Sequence, residues 1–377
     1  MKTILIFEPV VRGHIVEYLH HEYIKAAECV DYKLFLIVPE EFKKRSQSLS
    51  WPITSNIDII YLSESEVNQC TQGNRMKRVF KLSLIIRKYV KRFSANYVFL
   101  NFFVNSMPIL PFLLPNYCKV IGIVYAIYLW DKAKLHPLKL LANRMLYCFY
   151  SNCNTIKSVL LLNDTESVKS FNRYYSTNKF KYLPDPAQDI DNSKLRNIRP
   201  DLGIKQDDIV YFQLVIQKRK HIFDILDAIE LCSAEELKKR VFIFAGAITG
   251  GIEKEFYNRI SALKQRARII DKSGYIPYDE LYNLFYISDF CFALYDNSNS
   301  SSGVVNNSAR LDTAVITSKE GLLGHIVSSN NLGICIEKID PPHIKKSLFE
   351  ECHITPERYN LTHRVSDFGS VIFEQFK

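Results

Sequence analysis

Short apolar runs alternate with stretches of helical period along the whole chain. The apolar runs are Thr3–Pro9, Lys33–Pro39, Ile57–Leu62, Asn96–Phe103, Lys119–Ile127, Ser158–Asp164 and Lys181–Pro186. Helical patterns such as His14–Glu28 lie between them. Strands that are apolar on both faces, separated by helices, predict a parallel sheet covered on both sides. A polar stretch, Ala187–Asp208, has few large apolar residues and reads as a linker. The alternation then restarts with Ile209–Val215, Arg240–Gly246, Ala267–Ile276, Asp289–Tyr295, Ala314–Ser318 and Gly333–Glu337. The end of the chain, Pro356–Lys377, is helical in pattern. The expected fold class is α/β, with two doubly wound, Rossmann-like domains facing a deep cleft. Ligands of such sheets bind at the carboxyl ends of the strands, which suggests a nucleotide or sugar-nucleotide site.

Composition narrows the class. The 377 residues suit two domains, and 47% apolar content is that of a globular protein. The most apolar stretch, Phe102–Pro115, carries three prolines and is far short of a membrane span. The opening residues meet Glu8 and Arg12 too early for a signal peptide and read as a first strand. Nine scattered cysteines, an odd number without Cys-x2-Cys spacing, point to the reducing cytosol rather than to disulfides or zinc. No Gly-x-Gly-x-x-Gly fingerprint occurs, which argues against a nicotinamide enzyme.

The net charge of +9 is unevenly spread. Arg75–Phe93 holds eight Lys or Arg and no acid, with its apolar residues on one broad face. Such a helix lies on an anionic membrane, or it is a domain helix whose polar face is basic. No nucleic acid is expected as a partner, because no aromatic-basic platform accompanies the charge.

Four loops carry candidate chemistry. Ser301, Ser302, Gly303 and Val304 follow an apolar run and open a helix over Gly303–Leu311. A phosphate can approach the free N–H groups there, or Ser302 is a simple N-cap. Lys319–Gly324 reads as a second glycine-bearing loop at the same sheet edge. In Gln217–Ile229 three cations open a helix, where the dipole disfavours them unless an anion offsets it. Arg219 supplies a fork for phosphate oxygens and Lys220 a point charge. At Glu8–Leu19 a loop containing Gly13 leads into a helix near His14, and the prolines around Asp185 mark a domain boundary.

In this order the pieces resemble a retaining glycosyltransferase of the GT-B fold, glycosyltransferase family 4-like. The resemblance spans nearly the whole chain and is strongest over Ser158–Val327. It rests on Gly13-His14, on Leu183–Pro186, on Arg219-Lys220, on Tyr275–Tyr295 and on Ser301–Val327. It implies an N-terminal acceptor-binding domain (1–186) and a C-terminal donor-binding domain (187–355, with 187–208 as linker). It further implies a C-terminal helix (356–377) that packs back on the N-terminal domain. A nucleoside-diphosphate sugar is the implied donor, with no metal or other cofactor. The family's paired glutamates fall on Asn299 and Asn307, and its frequent N-terminal histidine on Tyr125.

The reading is therefore a sugar transferase acting with retention on a hydroxyl of a glycan or lipid-linked acceptor in surface polysaccharide assembly. Its place is cytoplasmic, with peripheral contact to an anionic membrane through Arg75–Phe93. Arg219 and Lys220 are the catalytic candidates. Ser301, Ser302, Gly303, Val304, Asn299 and Asn307 are expected on the donor. Gly13, His14 and Tyr125 are expected on the acceptor side. The rivals are a non-catalytic binding or scaffold subunit on the same fold, and a sugar-nucleotide epimerase.

Overall fold

The computed structural model describes residues 1–11, 15–47, 49–187 and 189–377. The chain forms two compact units, Met1–Pro184 with Val365–Lys377, and Asp185–Arg364.

The first unit is built on seven parallel strands: β1 (Lys2–Phe7), β2 (Tyr32–Pro39), β3 (Ile57–Leu62), β4 (Tyr97–Leu100), β5 (Lys119–Val124), β6 (Ile156–Leu162) and β7 (Phe180–Leu183). Their order is β3-β2-β1-β4-β5-β6-β7. In β1 the side chains alternate between two apolar layers. Leu5 and Phe7 pack with Leu82 and Ile86, whereas Ile4 and Ile6 pack with Leu19 and Ile372. Both faces of the strand are buried, so its sequence is a continuous apolar run rather than an alternating one. Each fully buried side chain of this size contributes about 1.5–3 kcal/mol.

The helix Val365–Glu374 closes the second layer with Phe368, Ile372 and Phe373 buried. It lies against the helix Ile15–Glu28, where a Cβ on Gly369 would meet Lys25 Cβ at 2.8 Å. The single helix expected over Pro356–Lys377 is in fact two, Glu357–Thr362 in the second unit and Val365–Glu374 in the first. The break falls at buried His363, whose Nδ1 lies 2.7 Å from the Tyr359 carbonyl.

The second unit has six parallel strands: β8 (Ile209–Ile216), β9 (Arg240–Ile248), β10 (Arg268–Ser273), β11 (Phe290–Phe292), β12 (Ala314–Ser318) and β13 (Gly333–Ile336). Their order is β10-β9-β8-β11-β12-β13. The stretch read as a linker is anchored on this unit. Arg199 donates to the carbonyls of Ile287 and Asp208 and to the Asp289 carboxylate at 2.8–3.0 Å.

Each sheet has the doubly wound order, and the succession of strands across it reverses between its first and fourth strands. A crevice forms at the carboxyl ends of those two strands. In the second unit the loops that meet there follow β8 and β11.

Candidate functional site at the β8–β11 switch

The β8 strand ends irregularly. Its pairing with β9 runs from Leu214 opposite Ala245 to Ile216 opposite Ile248, and Val215 takes φ +61°. Such a conformation is an outlier for a β-branched residue and costs on the order of 1–3 kcal/mol. The bulge withdraws the Leu214 and Val215 carbonyls from the ladder. Both are satisfied by side chains. Lys220 Nζ donates to Leu214 O at 2.7 Å, and Gln213 Nε2 donates to the carbonyls of Leu214 and Val215 at 3.0 and 3.2 Å.

Lys218–Lys220 form a 3-10 turn, and the helix begins only at Ile222. This corrects the expectation that three cations open a helix. The first helical turn instead carries Asp224, which suits the dipole. Between turn and helix, His221 takes φ +54°. Its Nδ1 lies 2.9 Å from Asp224 and its Nε2 3.1 Å from Asp296. The imidazole thus ties the β8 loop to the β11 loop, and the Asp296 amide adds a bond to the Arg219 carbonyl at 3.0 Å.

The two cations differ in state. Arg219 is exposed, and its Nε donates to Gln217 Oε1 at 2.6 Å. Lys220 is 7% exposed, with Nζ 5.4 Å from the Tyr295 ring centroid. Loss of solvation lowers its pKa to about 8, the Cys291 thiol opposes the shift, and the Arg219 charge adds to it. A buried ammonium of this kind gains when an anion is brought to it.

The chain of contacts continues to the next loop. Tyr295 Oη lies 2.9 Å from Ser302 Oγ, which accepts from the Val304 amide at 3.3 Å. Ser302 is thus the N-cap of the helix Gly303–Arg310. The amides of Val305 and Asn306 are bonded to the Ser302 carbonyl, which leaves Gly303 N–H as the first-turn donor nearest the loop. Asn307 lies one turn beyond Gly303 on this helix, half-buried. Asn299 lies in the preceding loop, where its amide donates to Asn297 Oδ1 at 3.0 Å.

The Lys319–Gly324 loop is corrected as well. A helix, Gly321–Ser329, starts within it at Gly321 (φ +75°), with Leu322 and Leu323 buried. The absence of Cβ atoms lets it pack directly on backbone: a Cβ on Gly324 would collide with the Ser318 carbonyl. Ser298 ties the β11 loop to this turn, donating to Glu320 O at 2.8 Å and accepting from Leu323 N at 2.9 Å.

In the first unit, Gly13 and His14 lie outside the described residues. Tyr125 follows β5, its ring centroid 5.2 Å from that of Phe102 and 6.3 Å from that of Tyr18. Among the described residues no group of three or more His, Cys, Asp or Glu is arranged to hold a metal. Among them too, no helix is long and apolar enough to cross a membrane.

Sequence reasoning missed His221, Tyr295 and Asp296. The signal was the strand order: once β8 and β11 are neighbours, the residues that follow them face one crevice.

The chain is similar in structure to WaaG, a glycosyltransferase involved in lipopolysaccharide biosynthesis. The two are 15% identical with a TM-score of 0.60 over 100% of this chain and 94% of that one. HepE from Anabaena in complex with UDP matches at 13% identity and TM-score 0.68, over 100% and 99%. The α,α-trehalose 6-phosphate synthase of Burkholderia multivorans matches at 8% and 0.69, over 99% and 98%. No family model and no curated protein sequence matches the chain. The likeness establishes the fold: two parallel-sheet α/β domains of the kind found in GT-B glycosyltransferases.

Proposed function

We propose that the chain is a glycosyltransferase that moves a sugar from a nucleoside diphosphate to a hydroxyl of a glycan or lipid-linked glycan. The observation that carries this reading is the convergence at the β8–β11 switch. A desolvated Lys220, an exposed Arg219 and the start of the Gly303–Arg310 helix meet in one crevice, where doubly wound sheets bind nucleotides. Arg219 and Lys220 stabilise the leaving diphosphate, where charge develops in the transition state. Asn299 and Asn307 hold the donor as neutral hydrogen-bonding groups, with Ser301, Ser302, Gly303 and Val304 at the loop. Gly13, His14 and Tyr125 serve the acceptor in the first unit. The bond from the anomeric carbon to the β-phosphate oxygen breaks, and a bond to the acceptor oxygen forms on the same face. The acceptor proton passes to the leaving diphosphate.

The basic helix Arg75–Phe93 supports work at an anionic membrane on the cytoplasmic side, in surface polysaccharide assembly. Val79, Leu82 and Ile86 go to the core, so the helix is a domain helix. A second stripe remains in solvent: Met76, Phe80 and Leu84 at i, i+4 and i+8, flanked by Lys77, Lys81 and Lys88.

The test is slow turnover with water as acceptor, using UDP-, GDP-, ADP- and dTDP-linked hexoses. Proton NMR reads the first anomer released. One donor is cleaved with its anomeric configuration kept, and Arg219→Ala/Lys220→Met lowers the rate about 100-fold or more. Release of the opposite anomer refutes retention. No cleavage of any donor leaves the non-catalytic reading, which Asn299 and Asn307 would then explain.

A further inference from the structure

The first unit holds a cavity of about 720 Å³ at the carboxyl ends of β2, β1 and β4. It lies at that sheet's own reversal point, between β1 and β4, and its volume suits a small-molecule site. The basic helix Arg75–Phe93 reaches it with its first turn. Arg75 and Arg78 both line the cavity, sit at i and i+3, and make no side-chain hydrogen bond or ion pair among the described residues, though the Arg75 charge also acts on buried Tyr150. That turn carries no acid, and Asn74 caps it by accepting from the Lys77 amide at 3.0 Å. The dipole therefore adds its positive end to two guanidinium groups.

The carboxyl groups at the cavity do not cancel this charge. Glu41 is engaged with Arg45 Nε at 2.6 Å. Glu8 is 2% exposed and accepts from the Val10 amide at 3.2 Å. Burial pushes its pKa up to about 8, so it is largely neutral at pH 7. Asn105 adds a neutral hydrogen-bonding side chain, whereas the hydroxyls of Thr71 and Ser106 already donate to the carbonyls of Val67 and Phe103 at 2.8 and 3.2 Å. A carboxylate saturates one arginine fork, whereas a phosphate has oxygens enough for both and a charge to match two cations.

We infer that this cavity binds a phosphate group of the glycosyl acceptor, with Arg75 and Arg78 as its clamp. The inference rests on the transferase reading for the word acceptor, but the phosphate site stands on its own geometry. The phosphate arrives either on a water-soluble glycan or as the headgroup of a lipid carrier.

The test is calorimetric titration of the full chain with glucose 1-phosphate, after saturation with whichever nucleoside diphosphate binds. That saturation removes the second-unit site from competition. Arg75→Ala/Arg78→Ala is expected to weaken glucose 1-phosphate binding about tenfold or more and to leave nucleotide binding unchanged. Both side chains are exposed, so its melting temperature stays at the wild-type value. Arg75→Lys/Arg78→Lys keeps the charge but loses the forks, and falls between. Methyl glucoside, which lacks phosphate, does not bind. Vesicles of phosphatidylcholine with phosphatidic acid displace the sugar phosphate if the group comes from a lipid headgroup, and leave it bound if it comes on a soluble glycan. Equal affinity in wild type and Arg75→Ala/Arg78→Ala, or no binding to wild type at 10 mM, overturns the inference. If no nucleoside diphosphate binds yet glucose 1-phosphate does so through Arg75 and Arg78, the transferase reading fails and the phosphate site stands.

Discussion

Lys220 is the residue on which the donor-site reading turns. Its ammonium is buried, bonded to the Leu214 carbonyl and set against the Tyr295 ring, with a pKa lowered to about 8. A diphosphate binds the charged form, so affinity is full below pH 8 and falls as pH rises past it. The nucleotide's own phosphates have finished titrating by then. The dissociation constant should therefore rise several-fold between pH 7.5 and 9.5 in titration calorimetry, while Lys220→Met binds weakly with little pH dependence. Stability moves the other way. The unfolded chain binds more protons than the native one between about pH 8 and 10.5, so this group's contribution makes stability rise across that window. A wild-type dissociation constant that stays flat from pH 7.5 to 9.5 would remove Lys220 from the diphosphate. None of this state was legible in the sequence. Arg219 and Lys220 stood out as a pair of cations, but burial of the second depends on a β-bulge at Val215, and a β-branched residue at φ +61° has no sequence signature.

At the scale of elements, every strand expected from the apolar runs is present, and the central ones, buried on both faces, leave an unbroken apolar record. Their ends were less legible. The run Asp289–Tyr295 yields only Phe290–Phe292 as β11, and the apolar residues after it, Ala293 and Leu294, are buried outside the strand. The Gly321–Ser329 helix was hidden because glycines usually signal loops. Here Gly324 permits contact with strand backbone, which only the packed structure reveals. The basic helix Arg75–Phe93 was legible over its full length. One face serves the core, while the Met76, Phe80 and Leu84 stripe has nothing to do in the isolated fold. Replacing all three with serine should abolish sedimentation with vesicles of phosphatidylcholine and phosphatidylglycerol, while the lost helix propensity and partial burial lower the melting temperature by only a few degrees. Undiminished sedimentation would mean that the stripe is not the membrane contact.

At the scale of the whole molecule, the two units repeat one topology, and each places its cations at its own strand reversal. In the second unit these are Arg219 and Lys220, in the first Arg75 and Arg78. The doubly wound class was legible in the alternation of elements, and the strand order follows once that class is assumed. The chemistry was less so, since Asn299 and Asn307 stand where the resembling family has carboxylates and Ser302 is engaged as a cap. A thermal-shift panel with UDP, GDP, ADP, CMP and dTDP tests the donor site at the β8–β11 switch. A ligand at 100 times its dissociation constant stabilises the native state by about 2.7 kcal/mol, enough to read as a shift. One nucleotide should raise the melting temperature of the wild type, and Arg219→Ala/Lys220→Met should lose that rise. No shift with any nucleotide at millimolar concentration, or an equal shift in the double variant, would contradict a donor site at the β8–β11 switch.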